Sequence, residues 1–163
     1  MSIDVKDKKL ILEQLQSNIL EKKELVHEYE EKGIYELAFL IRWQIVEETI
    51  KEIAKAQRRV SLLDNLNEWT EYLTLSSKKQ PKKINSFSID SDSIPNIEII
   101  LKYLEKKELL NLSELLKSKG KYRERRNAIA HRFNRFRDKS VYMDYSQKVD
   151  MAIDELIEAL KSN

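Results

Sequence analysis

The chain has no cysteine, which excludes disulfide staples and thiolate metal sites. Its two histidines, His27 and His131, lie too far apart in sequence to read as a zinc-ligand pair. No metal and no cofactor are therefore expected. Only two glycines and two prolines interrupt the 163 residues, and no stretch alternates apolar and polar residues as a strand does. Long apolar runs are also missing. The most apolar stretch, YELAFLIRWQIV, is cut by Arg42 and falls far short of a membrane span. The opening MSIDVKDKKL is charged where a signal sequence needs an apolar segment. These absences lead to the expectation of a cytoplasmic protein with no membrane partner.

What remains is dominated by Leu, Ile, Glu and Lys, with 36% charged and 41% apolar residues. That mixture describes helices with one packed face and one heavily charged face. The length suits a single domain over residues 1–163 with a real core. An all-α bundle of about five main helices is expected.

Apolar residues at three-and-four spacing predict a first helix from about Asp4 to Lys32, closed by Gly33. A second helix, from near Ile34 to Arg58, is apolar on nearly all sides in its first half, as a central helix would be. A third segment carries Leu62, Leu66, Trp69 and Leu73 on one stripe, with Ser61 and Asp64 as a possible cap. From Ser76 to Ser93 the pattern stops, which predicts a flexible loop at about 76–93. Pro95 suits the first turn of a further helix, and NLSELLKSKG reads as a short one ending at Gly120. A last helix spans about Ser140 to Leu160, with Tyr142, Tyr145, Val149, Ile153, Leu156 and Leu160 in heptad order.

The net charge of +2 hides a division. Residues Lys117 to Lys139 hold ten basic side chains against Glu124 and Asp138, leaving the rest of the chain net acidic. A basic patch on an acidic protein points to a polyanionic partner. Six of the nine arginines fall within KYRERRNAIAHRFNRFR, Lys121 to Arg137. Their planar fork suits phosphate better than a lysine-rich face would.

Wound as one continuous helix, this segment sets Tyr122, Ile129, Phe133 and Phe136 on a single apolar stripe. The opposite arc gathers Arg123, Arg126, Asn127, His131 and Asn134 around the small Ala130. Asparagine is a poor helix former, so two on one arc cost a few tenths of a kcal/mol each relative to alanine. Asn127 and His131 are four apart, a spacing at which the amide can orient the imidazole. Histidine is the side chain whose ordinary titration range includes neutral pH. Proton transfer beside fixed positive charge is what metal-free cleavage of an RNA phosphodiester needs. One histidine hardly serves as acid and base at once, and one Arg126 makes a thin phosphate clamp. Two copies of the helix facing each other would supply both.

The run Arg126-Asn127-Ala128-Ile129-Ala130-His131 resembles the R-N-x-x-x-H form of the R-x4-6-H motif of HEPN domains. Many such domains are metal-independent ribonucleases of toxin–antitoxin, abortive-infection and CRISPR-associated systems. Arg125 also satisfies a longer-spaced form, and the adjacent asparagine selects Arg126. The resemblance implies a helical bundle, as a homodimer or paired domain, whose two motifs meet in a composite site. It implies Arg126 and His131 as catalytic residues and Asn127, with Asn134, as polar neighbours. Arg123, Arg125, Arg132 and Arg135 are then expected to hold RNA phosphates. An acidic residue on an early helix often accompanies the motif, for which Glu47 and Glu48 are candidates. One branch of the family has a tyrosine two places after the histidine, linked to nucleotidylation by a partner antitoxin. This chain has Phe133 there, so that mode of control is not implied.

The expected function is a metal-independent endoribonuclease acting on single-stranded RNA as a homodimer, a toxin or anti-phage defence effector. A cognate antitoxin or other defence-system protein is a possible partner. One alternative uses the same basic face differently, as a non-catalytic HEPN-like module binding RNA, a nucleotide or a partner protein. Another is a plain helical oligomerisation protein working through the heptad faces of the first and last helices.

Overall fold

The Asp4 side chain accepts a hydrogen bond from the Asp7 amide at 2.8 Å and starts the first helix, α1 (Val5–Glu31). The computed structural model describes residues 3–75 and 97–162, with side chains described for 3–57 and 97–162. Ile11, Leu15 and Val26 form the buried stripe of α1. Gly33, at φ +71°, lets the chain turn back without the penalty that a Cβ would bring there.

The second helix, α2 (Tyr35–Leu75), is the central one. It packs on α1, on α3 (Ile97–Tyr103), on α5 (Lys121–Arg132) and on α6 (Lys139–Lys161). Ala38, Phe39, Trp43, Ile45, Val46, Ile50 and Ile53 are all buried along it, as its all-round apolar character requires. Arg42, which interrupts that run, is held by Asp150 at 2.6 Å and Glu30 at 3.4 Å. Burial alone would lower its affinity for the proton, and the Asp150 carboxylate, Tyr142 and Glu30 reverse that, so Arg42 sits above its ordinary range.

The break expected near Arg58 is not there. The helix continues to Leu75, with Ser61 and Asp64 inside it instead of capping a new one. No glycine or proline stands between Gly33 and Pro81, so nothing in the backbone stops the helix. Leu62, Leu66, Trp69 and Leu73 share this helix, and their side chains lie outside the described residues, as do the loop expected at 76–93 and Pro95.

Helix α4 (Leu110–Leu116) has no cap of its own. Glu155 on α6 supplies one, accepting from the Asn111 and Leu112 amides at 2.8 and 2.9 Å and from Asn111 Nδ2 at 2.8 Å. Lys148 then reaches Asn111 Oδ1 at 3.0 Å and Glu114 at 2.8 Å. These contacts fasten α4 to α6, whose buried Tyr142, Val149, Ile153, Leu156 and Leu160 reproduce the expected heptad face. Asp138 caps α6 by accepting from the Val141 amide at 3.0 Å.

The arginine-rich segment is not one helix to Arg137. It stops at Arg132, where Phe133 takes a left-handed conformation at φ +52°. The Phe133 and Asn134 amides donate back to Ile129 and Ala128 carbonyls at 3.2 and 3.3 Å, closing the helix end. An irregular connection then leads to Asp138, and Phe136 enters the core from it. Phe133, expected on the core stripe, is instead 87% exposed. Six helices and no strand are present among the described residues, an all-α fold.

Candidate functional site

Tyr122 and Ile129 turn α5 inward, Tyr122 edge-on to Tyr145 of α6 at 5.3 Å and Ile129 buried in the core. From there a ring cluster extends through Phe136, Tyr145 and Phe39 to Trp43, with centroids 5.3 to 6.1 Å apart. Such tilted and edge-on pairs fix orientation as well as burying area. The floor beneath the arginine helix is therefore rigid and aromatic. Arg125 lies 5.5 Å from both Phe136 and Tyr145, and Lys121 lies 5.0 Å from Tyr122, so two of the basic side chains are seated over rings.

The outward faces of α5 divide. Lys121, Glu124, Arg125, Asn127, Ala128, His131 and Arg132, with Asn134 and Tyr145, line a recess of about 600 Å³. His131 is exposed there, in the last turn of the helix, where the aligned peptide dipoles favour a positive group. Arg126 is not among the lining residues. Its Nη2 lies 3.0 Å from Glu47 Oε1 of α2, and its Nη1 donates to Asn127 Oδ1 at 3.1 Å. The indole of Trp43, one turn before Glu47, donates to the same Oε1 at 2.8 Å. Glu47 and Arg126 keep 14% and 28% of their side-chain surface, so this pair is partly withdrawn from water and less screened than a surface pair.

Of the two acidic candidates, packing brings one to Arg126. Glu47 meets Arg126; Glu48, one residue on and turned about 100° around the helix, faces α1 and holds Asn18 and Lys22. Glu48 has no part in the site. Five residues of helix turn a side chain by about 140°, which is why Arg126 faces α2 while His131 faces outward. The Asn127 amide joins the two, lining the recess of His131 while accepting from Arg126. It makes no hydrogen bond to His131, contrary to the spacing argument. The small residue at the recess is Ala128, not Ala130.

The phosphate-binding set also divides. Arg125 and Arg132 line the recess. Arg135 is exposed beyond the helix end. Arg123 is committed elsewhere, donating to the Leu116 carbonyl at 3.2 Å, one of the unpaired carbonyls closing α4. Tyr145 was assigned from the heptad to the core alone, and nothing in the spacing of α5 marks it as a lining residue. The Trp43–Glu47 link was legible as an i, i+4 pair. Among the described residues, no group of three or more His, Asp or Glu side chains stands ready to hold a metal ion, and no helix is long and apolar enough to cross a membrane. No family model, curated protein or solved structure matches the chain.

Proposed function

We propose that this protein is a metal-independent endoribonuclease of the HEPN type, acting on single-stranded RNA through His131 and Arg126 of two paired copies. One observation carries the reading. An exposed histidine and two amides share a recess rimmed by arginines, on a helix anchored to the core by Ile129 and Tyr122. In the reaction, a base removes the ribose 2′-hydroxyl proton, O2′ attacks phosphorus, and the P–O5′ bond breaks as the leaving oxygen takes a proton. The products are a 2′,3′-cyclic phosphate and a 5′-hydroxyl. His131 of one copy acts as base and that of its partner as acid. Arg126, oriented by Glu47 and Asn127, supplies fixed positive charge to the phosphorane-like transition state. A toxin or defence role follows from the likeness of the motif alone.

A second reading is favoured by a specific contact. Arg126 is held by Glu47 and stands outside the recess, as it would in a module that binds RNA without cutting it. Incubating the purified protein with single-stranded RNA and EDTA separates the two. The nuclease leaves 2′,3′-cyclic phosphate ends despite the chelator and loses activity in both Arg126→Ala and His131→Ala. The binding module shows affinity that weakens with salt and intact RNA.

A further inference from the structure

Among the described residues, Phe133 is the most exposed large apolar side chain, at 87%. Its backbone occupies the left-handed region at φ +52°, a conformation that disfavours any residue carrying a Cβ and is usually filled by glycine or asparagine. The ring makes none of the aromatic contacts that hold Phe136, three residues on, beside Phe39, Tyr142 and Tyr145. The position is nonetheless fixed. The Phe133 and Asn134 amides both donate back into α5, so the backbone presents the ring at a fixed point of the helix end, two residues past His131. Arg132 and Arg135 flank it, exposed and without an acidic partner among the described residues.

We propose that Phe133 is a stacking platform for an unpaired base of single-stranded RNA, laid beside the His131 recess while Arg132 and Arg135 engage the adjoining phosphates. The inference rests on the reading of this face as RNA-contacting and adds how the strand is registered on it. An exposed ring flanked by cations is the combination that binds single strands without regard to sequence, the ring taking the base face and the cations the backbone. A duplex offers no free base face, so the platform selects for unpaired RNA.

The test measures affinity for an unstructured oligouridylate, with His131→Ala in every protein so that the RNA stays intact. Adding Phe133→Ala weakens binding about tenfold, Phe133→Trp restores it, and Phe133→Leu does not, because stacking needs an aromatic face and not merely apolar area. The slope of log affinity against log salt is unchanged by Phe133→Ala but shallower by roughly 0.7 in Arg135→Ala, since only the arginine releases counterions from a single strand. Equal affinity of Phe133→Ala and its parent overturns the platform and leaves the RNA reading standing. No measurable affinity in the parent overturns both. A smaller sedimenting mass for Phe133→Ala marks the ring as a contact between copies and overturns the platform as well.

Discussion

A single carboxylate oxygen, Oε1 of Glu47, accepts from the indole of Trp43 and pairs with Arg126. Arg126 therefore has a structural duty besides any chemical one. Arg126→Ala leaves a partly buried carboxylate short of its partner, and a loss of about 1–3 kcal/mol in chemical denaturation is expected. An unchanged midpoint would show the pair to be idle. Activity lost in Arg126→Ala is thus ambiguous by itself, whereas the exposed His131 can be removed without loosening the core. Tyr142, stacked on Tyr35 and edge-on to Phe136, offers a second test. Burial pushes its hydroxyl up to about 12, with the Arg42 guanidinium opposing. Being raised above the ordinary value of 10.0, it contributes stability that is complete below that pH and is lost as pH rises through about 12. The hydroxyl meets no partner in hydrogen-bond geometry among the described residues, although Arg42 and Glu30 lie near enough to act on its charge. Tyr142→Phe should therefore change neutral-pH stability by no more than about 1 kcal/mol and lose less stability than the wild type in alkaline denaturation. A larger neutral-pH loss would mean that the hydroxyl is bonded after all.

At the scale of elements, the helices that were legible are those whose boundaries carry chemistry of their own. Asp4 and Gly33 bracket α1, Gly120 precedes α5, and the heptad of α6 follows the cap at Asp138. The two errors of boundary have separate origins. Ser61 and Asp64 resemble a cap, yet a polar residue within a helix does not end it. Phe133 ends α5 although phenylalanine carries no propensity for the left-handed region, so no local reading finds that stop. The site was legible as a set of residues and not as a geometry. Asn127, His131, Asn134, Arg125 and Arg132 do share a recess, while the direction of Arg126 depends on Glu47, far away in sequence and brought near only by packing. Cross-element capping was equally invisible, since nothing near Glu155 announces the start of α4. Glu155→Ala should cost about 1–3 kcal/mol by leaving two first-turn amides unpaired. Thermal unfolding as stable as the wild type's would show that those amides find other partners. Gly33→Ala should cost about 1–2 kcal/mol, through φ alone, since the space around it is open.

For the molecule as a whole, the governing feature is charge division. The basic residues from Lys117 to Lys139 gather on one segment, against a remainder that is net acidic. Packing preserves the division: α5 gives Ile129 and Tyr122 to the core and keeps His131 and Arg132 outside, with Arg135 exposed just past its end. A surface of that kind attracts anions through a field that added salt screens, whether or not chemistry follows. The measurement that bears most directly on the chemistry is the single-turnover rate of RNA cleavage in EDTA for the wild type and His131→Ala, with melting temperatures taken alongside. For His131→Ala a rate lower by about 10²–10⁴-fold at an unchanged melting temperature is expected. Cleavage by His131→Ala at the wild-type rate, or none by the wild type at any protein concentration, would contradict it.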